Sequence, residues 1–385
     1  MPEKREIPFG RPWIGAEERA AVLEVLDGPI LTHGPQTSLF EQEFAAFVGS
    51  SEGAVATSSC MGALHMAYLT CGVGPGDEVL VPAQTHVATA HAVEWTGATP
   101  VFVDCDPATG NVTADGLARA ITPRTRALAV VHFVGIPCDM PAIAELVRAK
   151  SLKVVEDCAI ALGAKFDGTH VGLFGDAGCF SFYPVKHMTT AEGGMLISRH
   201  ADVLDRVRKL RAFGVDRIHQ ERKVPGMYDV PTLGLNYRMS EIQAAIGRAQ
   251  LHRMPEALAT RRRHFLALQQ ALSAVPGARV LDAAREEAIN SHYCLSLVFE
   301  GKRAASRDQA VAQLNAAGIG TSIYYPQPVP RMTYYRNKYG YDAARYLEAA
   351  AISDASVALP VGPHLSDEDV SYIAQVVTEE YRAWV

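Results

Sequence analysis

The chain is organised around Gly178-Cys-Phe-Ser-Phe-Tyr-Pro-Val-Lys186-His-Met-Thr-Thr-Ala-Glu192-Gly-Gly194-Met-Leu-Ile-Ser198. An apolar run ending at Ser181 predicts a short strand, and the apolar run after the two glycines predicts a second strand. Lys186 falls in the turn between them. In α/β proteins, binding and catalytic groups collect at strand ends, so this lysine is a candidate functional residue.

Two acidic residues end another predicted strand, upstream of Lys186. The run Lys153-Val-Val-Glu156-Asp157 predicts a buried strand whose carboxyl end carries both acids. A buried cation or a protonated ring nitrogen would explain an aspartate at that place. Pyridoxal phosphate needs a lysine amine, which forms a Schiff base with its aldehyde, and a carboxylate, which keeps its pyridine nitrogen protonated. Lys186 and Asp157 therefore predict a site for this cofactor.

A strand that enters a helix through small residues predicts a phosphate site. Ala54-Val-Ala-Thr57 leads through Ser58-Ser-Cys-Met-Gly62 into an apolar helical run. The first turn of a helix offers free backbone N–H groups at the positive end of the helix dipole. We therefore assign the cofactor phosphate to the backbone of Cys60 and Met61, with the hydroxyl of Ser181 as a further donor.

Composition and charge argue against several other classes of protein. The 385 residues are 48% hydrophobic and 20% charged, which is ordinary for an enzyme with two domains. A formal net charge of −6 argues against nucleic acid as a partner. No apolar run is long enough for a membrane span or a signal core, so we expect a cytoplasmic protein without a membrane partner. The cysteines lack CxxC spacing, which favours reduced core thiols over disulfides or a metal site.

The order of predicted elements indicates two domains. From Ala54 to Ser198, short β-rich runs alternate with helical runs, which is typical of a mainly parallel sheet with helical crossovers. A long helix from about Met254 to Val275 then enters a C-terminal part with predicted strands at 292–299 and 321–325 and a last helix over 367–383. We expect a large domain at 1–250, with an N-terminal arm, and a small α+β domain at 251–385.

Taken together, Lys186, Asp157, Ser181 and the two glycines resemble the sugar aminotransferases of the DegT/DnrJ/EryC1/StrS family, over nearly the whole chain. The resemblance implies an α/β, pyridoxal-phosphate-dependent transferase of fold type I, like aspartate aminotransferase, with a seven-stranded, mainly parallel sheet. It also implies a cofactor that alternates between its pyridoxal and pyridoxamine forms. The expected amino donor is L-glutamate, and the expected acceptor is a nucleotide-linked 4-keto-6-deoxyhexose, with a cyclitol ketone as an alternative.

The resemblance assigns roles to three further regions. Thr32 lies in a loop that borders the substrate in the family, although glycines and prolines there equally predict a plain connector. Asn236 is implied to reach the cofactor phosphate across a homodimer interface, although Asn before a helix cap is commonly a turn residue. A basic cluster either forms a solvated face or meets a diphosphate, and its members are Arg217, His219, Arg222 and Lys223.

Four positions depart from the family pattern. Met61 stands where a Thr or a small residue is usual. His86 stands where an aromatic residue stacks on the pyridine ring, which a planar imidazole can also do. Ile160 replaces a polar residue that approaches the cofactor or sugar in some members, so sugar recognition is expected to differ there. Tyr324 takes the place of a His in a His-Tyr-Pro segment and is assigned to the substrate.

Two other functions are considered beside the aminotransferase. A pyridoxamine-dependent sugar 3-dehydratase has the same fold, but members of that branch carry His at the lysine position, whereas here Lys186 is present and His187 is its neighbour. A non-catalytic, pyridoxal-binding regulator belongs to a different class. The combination of the lysine, the aspartate and the serine favours the aminotransferase over both.

Overall fold

The computed structural model describes residues 5–216, 224, 226–273, 275–283 and 285–380. The helices are α1 (Ala16–Asp27), α2 (Pro35–Val48), α3 (Cys60–Thr70), α4 (Val87–Glu94), α5 (Ala114–Ala120), α6 (Met140–Lys150), α7 (Ala201–Leu210), α8 (Glu241–His252), α9 (Met254–Leu272), α10 (Arg307–Ala316), α11 (Thr333–Tyr339), α12 (Leu347–Ala355) and α13 (Asp367–Glu380). The strands are β1 (Ala54–Thr57), β2 (Glu78–Pro82), β3 (Thr99–Val103), β4 (Thr125–Val131), β5 (Lys153–Asp157), β6 (Lys165–Phe166), β7 (Thr169–His170), β8 (Ala177–Ser181), β9 (Gly194–Ile197), β10 (Ala278–Val280), β11 (Ala288–Ile289), β12 (Leu295–Phe299) and β13 (Ser356–Leu359).

The main sheet has seven strands in the order β1-β9-β8-β5-β4-β2-β3. Strands β3, β2, β4, β5 and β8 are parallel, whereas β9 runs antiparallel to β8 and β1. This confirms the predicted mainly parallel sheet of seven strands. Because the parallel strands end at one edge, the residues after β2, β5 and β8 lie at the same side of the sheet.

Helices cover both faces of this sheet. Val79 and Val81 of β2 pack in the apolar layer that also contains Ala63 of α3. Leu80, between them, packs in the opposite layer with Leu117 of α5. Successive side chains of a strand point to opposite faces, so a strand covered on both sides becomes apolar throughout.

The C-terminal part contains a second, antiparallel sheet in the order β10-β12-β13. The predicted strand over 321–325 is wrong, because only Ser322 forms an isolated bridge there, with Ala358. The carbonyl of Tyr324 accepts a hydrogen bond from the Gln84 side chain instead of a neighbouring strand. Pro326 follows Tyr325 and has no N–H group with which to extend a ladder.

Several contacts join the C-terminal part to the rest of the chain. Ile7 forms a parallel bridge with Ile319. The carboxylate of Asp104, just after β3, accepts the N–H groups of Glu348 and Ala349 in the first turn of α12, at 3.1 and 2.8 Å. The domain division at residue 250 stays a prediction. No helix in the described ranges combines the length and the apolar character that a membrane crossing requires.

Candidate active site

Asp157 ends β5 with its carboxylate buried and oriented by two donors. The hydroxyl of Thr89 donates to Oδ2 at 2.7 Å, and the N–H of Ala159 donates to Oδ1 at 3.0 Å. The hydroxyl of Thr85 lies 2.8 Å from that of Thr89. Since Thr89 gives its proton to Asp157, Thr85 is the donor to Thr89. This relay fixes the direction in which the remaining lone pairs of the carboxylate point.

The neighbouring acid, Glu156, faces the other side of the strand and has a structural role. Its carboxylate accepts the N–H groups of Gly172 and Gly175 at 2.7 and 2.6 Å, and it lies 3.0 Å from Nε2 of His132. Glu156, His132 and Cys158 have ligand atoms within 4.8 Å of one another. Since backbone N–H groups already occupy the carboxylate, we interpret this cluster as a hydrogen-bond network rather than a metal site.

Lys186 lies in the turn after β8 and is partly buried. Its Nζ atom is 5.4 Å from the centre of the Tyr293 ring. Burial lowers the pKa of the Lys186 amine below the usual 10.5, although the negative charge of Asp157 opposes this change. A larger fraction of the amine is therefore neutral near physiological pH, which is the form that attacks a carbonyl carbon.

Two tyrosines extend the site from Lys186 into the C-terminal part. The hydroxyl groups of Tyr293 and Tyr324 are 2.7 Å apart. Burial raises the pKa of Tyr324 to about 12, so it keeps its proton at neutral pH. Tyr324 was predicted from the sequence, whereas Tyr293 was missed because it belongs to no recognisable motif.

The start of α3 lies against Gly194, the second of the two glycines after Lys186. Ser59 caps the helix, with its hydroxyl accepting the N–H of Gly62 at 3.1 Å. Gly194 pairs with Ser181 in the β8–β9 ladder, and a Cβ atom on Gly194 would lie 2.6 Å from the nitrogen of Cys60. Glycine is therefore needed where β9 crosses the helix terminus. Ser181 and the first N–H groups of α3, on Cys60 and Met61, thus converge.

His86 caps α4 at the same edge of the sheet. Its Nδ1 accepts the N–H of Ala88 at 3.2 Å, and its ring centre lies 5.7 Å from that of Tyr325. Partial burial and the charge of Lys186 lower the pKa of the His86 imidazole. An uncharged ring at this place, with part of its surface open to solvent, could stack on the face of a planar ligand.

The other predicted residues fall in different surroundings. Asn236 is exposed and forms a bridge with Ala212. The carbonyl of the next residue, Tyr237, accepts the N–H of Ser58 at 2.8 Å, just before α3. Ile160 is 2% exposed, so its side chain belongs to the apolar core.

Thr32 is exposed in the loop between α1 and α2. The carbonyl of Leu31 accepts the N–H of Glu241 at 2.9 Å, and the Glu241 carboxylate accepts the N–H of Gln36 at 2.6 Å. The Thr32 loop is thereby attached to the start of α8. Arg217 and the rest of the predicted basic cluster lie outside the described residues.

These groups fit pyridoxal phosphate. Three features lie together at the carboxyl edge of the parallel strands. They are a partly buried lysine of lowered pKa, a buried carboxylate oriented by Thr89, and the start of a helix beside a position that has room only for glycine. The fold and the site define a pyridoxal-phosphate-dependent transferase of fold type I. The chain belongs to the DegT/DnrJ/EryC1/StrS aminotransferase family, whose sequence model matches residues 12–378. It is thus a pyridoxal-phosphate-dependent sugar aminotransferase.

Individual relatives agree with this assignment. The spore coat polysaccharide biosynthesis protein SpsC of Bacillus subtilis is 36% identical over 386 residues, which cover 98% of both chains. The aminotransferase TlmJ of Streptoalloteichus hindustanus is 34% identical with a TM-score of 0.91, and the match covers 99% of this chain and 100% of TlmJ. The putative sugar aminotransferase Spr1654 of Streptococcus pneumoniae is 29% identical and has been solved in PMP and PLP forms. Their TM-scores are 0.93 and 0.92, and each match covers 99% of this chain and 100% of Spr1654.

Proposed function

We propose that this enzyme transfers the amino group of L-glutamate to a nucleotide-linked 4-keto-6-deoxyhexose, in the biosynthesis of a polysaccharide or of an amino-sugar natural product. The observation that carries the proposal is Lys186 held near a buried, hydrogen-bonded Asp157. The similarity to SpsC, which is named for spore coat polysaccharide biosynthesis, supports a polysaccharide precursor as the acceptor.

We assign the cofactor to residues at the carboxyl edge of the main sheet. When bound, pyridoxal phosphate supplies an aldehyde that carries the amino group and a ring that takes up electrons from the bond that breaks. Asp157 would keep a proton on the ring nitrogen, and the His86 ring would cover one face of the cofactor. Ser181 and the backbone N–H groups of Cys60 and Met61 bind the phosphate.

Lys186 is assigned as the catalytic residue. It would hold the cofactor covalently through its amine, and the same amine, when free, would be the base that takes the proton from the donor's α-carbon. In the second half of the cycle the same amine returns a proton to the sugar carbon that gains nitrogen. Burial lowers the pKa of this amine from its usual value, which moves it in the direction that favours proton exchange at neutral pH.

The acceptor is assigned to the side of the site that carries Tyr324. Its hydroxyl is hydrogen-bonded to that of Tyr293, whose ring lies near Lys186, and would offer a hydrogen bond to a sugar. Thr32 and Arg217 are further proposed contacts, the second of them for a diphosphate. The active enzyme is proposed to be a homodimer in which Asn236 completes the phosphate site of the second copy.

A single-turnover experiment tests this function. The purified enzyme is converted to its pyridoxamine form with L-glutamate, freed of donor, and mixed with keto-sugars linked to dTDP, UDP or GDP. Mass spectrometry is expected to show an amino sugar from a nucleotide-linked 4-keto-6-deoxyhexose. Product from a cyclitol ketone alone would overturn the proposed acceptor, and a dehydrated sugar without nitrogen would contradict amino transfer to that acceptor.

A further inference from the structure

Gln84, two residues after β2, is fully buried and uses both ends of its amide. Its Nε2 donates to the carbonyl of Tyr324 at 3.2 Å, and its Oε1 accepts from the hydroxyl of Ser353 at 2.9 Å. Tyr324 and Ser353 both belong to the C-terminal part of the chain. A buried amide with a donor contact at one end and an acceptor contact at the other has a single favourable orientation.

The residues on either side of Gln84 make related contacts. The carbonyl of Ala83 accepts the N–H of Val329 at 2.9 Å, so the chain between Tyr324 and Val329 is attached at two places. On the other side, Thr85 contacts Thr89, which donates to Asp157. Residues 83–85 therefore hold the C-terminal part and orient Asp157 at the same time.

The contacts continue from Tyr324 to the lysine. Its hydroxyl lies 2.7 Å from that of Tyr293, and the Tyr293 ring centre lies 5.4 Å from Nζ of Lys186. Ser353 is held from its other side, because Nη1 of Arg307 donates to its carbonyl at 3.2 Å. The Gln84 side chain thus holds the Tyr324 segment, while the next residue, Thr85, contacts the Thr89 hydroxyl that orients Asp157.

We propose that Gln84 is a positioning residue for amino transfer, which sets the place of Tyr324, and through it of Tyr293, relative to Lys186 and Asp157. The inference rests on the proposed roles of Lys186 and Tyr324. Without the amide, the carbonyl of Tyr324 and the hydroxyl of Ser353 would be buried and unpaired, which is unfavourable unless the segment moves toward water. Such a movement displaces the tyrosines from the reacting groups.

Gln84→Met tests the inference, because methionine has a similar length and makes neither hydrogen bond. In the cofactor-free protein, we expect faster amide hydrogen exchange over residues 319–332, including the N–H of Val329. In the loaded enzyme, a displacement of about 1 Å is expected to slow the keto-sugar half-reaction by roughly 10- to 100-fold. The affinity for pyridoxal phosphate is expected to stay unchanged, because Gln84 contacts none of its proposed ligands.

Ser353→Ala removes only one of the two bonds, so we expect a smaller change in the same two measurements. The double variant leaves only the carbonyl of Tyr324 unpaired, so its change is expected to be no larger than that of Gln84→Met and smaller than the sum of the two single changes. Gln250→Met is the matched control. Gln250 is also a buried glutamine, 5% exposed, and it donates to the carbonyl of Trp13 and to Glu18 at 2.8 and 2.6 Å. The Gln250→Met substitution should lower the stability of the protein without changing amide hydrogen exchange over residues 319–332 or the rate of the keto-sugar half-reaction.

Wild-type exchange over residues 319–332 in Gln84→Met would overturn the inference, as would an equal loss of rate in Gln250→Met. If Gln84→Met does not fold, Ser353→Ala is used in its place. Unchanged amide hydrogen exchange over residues 319–332 in Ser353→Ala would then contradict the inference. The exchange measurement needs neither cofactor nor substrate. A wrong proposed acceptor would therefore show in the single-turnover experiment alone, whereas a wrong role for Gln84 would show in the exchange data.

Discussion

The hydroxyl of Thr89 donates to the carboxylate of Asp157 at 2.7 Å, across the gap between α4 and the end of β5. Both residues are buried. A hydrogen bond to a charged acceptor in a buried site is stronger than one between neutral groups, and it fixes the orientation of the acceptor. The carboxylate therefore needs no rearrangement when a protonated ring nitrogen approaches it.

Thr89→Val removes this donor and keeps the shape of the side chain. With Asp157 free to rotate, we expect turnover to fall by roughly 10- to 100-fold, because the misplaced carboxylate holds the ring proton less well. Steady-state kinetics and titration with pyridoxal phosphate measure the effect. Thr85→Val is the control, because it removes only the outer hydroxyl of the relay and should reduce turnover less than Thr89→Val does. Equal losses in both variants would show that the direct bond has no special role.

Lys186→Ala removes the proposed base and the covalent attachment point. We expect both half-reactions to be abolished, while circular dichroism and the melting temperature stay near those of the wild type, because the side chain is only partly buried. Lys165→Ala is a suitable control, since that lysine is exposed on β6. Turnover in Lys186→Ala comparable to wild type would remove the central assignment.

Gly194→Ala tests the phosphate site. A Cβ atom there would lie 2.6 Å from the nitrogen of Cys60, so either β9 or the first turn of α3 must shift. We expect weaker binding of pyridoxal phosphate, because the N–H groups that face the phosphate move with the helix start. Gly74→Ala is the control, since a Cβ atom on Gly74 meets no atom within 4 Å. Unchanged cofactor affinity in Gly194→Ala would contradict the assignment to α3.

Stability is expected to fall in acid because of a buried histidine. His170 is 4% exposed, its Nε2 accepts the N–H of Gly163 at 2.8 Å, and burial lowers its pKa from 6.5 to about 4. The unfolded chain therefore takes up this proton at a higher pH than the folded chain. As the pH falls from 6.5 to 4, proton uptake favours the unfolded state, by up to about 3 kcal/mol from this group alone.

His170→Gln keeps an acceptor for Gly163 but has no group that titrates in this range. The slope of unfolding free energy against pH between 4 and 6.5 should therefore be smaller than in the wild type, as measured by denaturation of the cofactor-free protein with urea. His252→Gln, at an exposed position of α8, is the control. An unaltered slope in His170→Gln would mean that other groups cause the acid sensitivity.

The parts of the fold that the sequence predicted well are those that local patterns determine. The apolar runs gave β5 and β8 with Asp157 and Ser181 at their ends, and the small residues after Thr57 gave the start of α3. The strand predicted over 321–325 was wrong, because its residues have β-forming side chains but their backbone groups bond to Gln84 and Ala358 rather than to a continuous ladder.

Residues that act through long-range contacts could not be predicted from the sequence. Gln84 and Tyr324 are 240 positions apart, and no spacing rule connects them. Tyr293 lies just before β12, and only the folding of the C-terminal part brings it near Lys186, which no local pattern encodes. Thr89 in the first turn of α4 follows Thr85, which precedes the helix, by four residues, and this spacing gains meaning only when β5 brings Asp157 beside Thr89.

Complementation between two inactive variants tests the proposed dimer. If Asn236 of one copy completes the phosphate site of the other, then a hybrid dimer of Lys186→Ala and Asn236→Ala contains one site that carries neither substitution. Each variant alone is expected to be impaired. Mixing them under conditions that allow subunit exchange should restore part of the activity. If each copy instead supplied its own Asn236, every site in a hybrid would carry one substitution, and mixing would restore nothing.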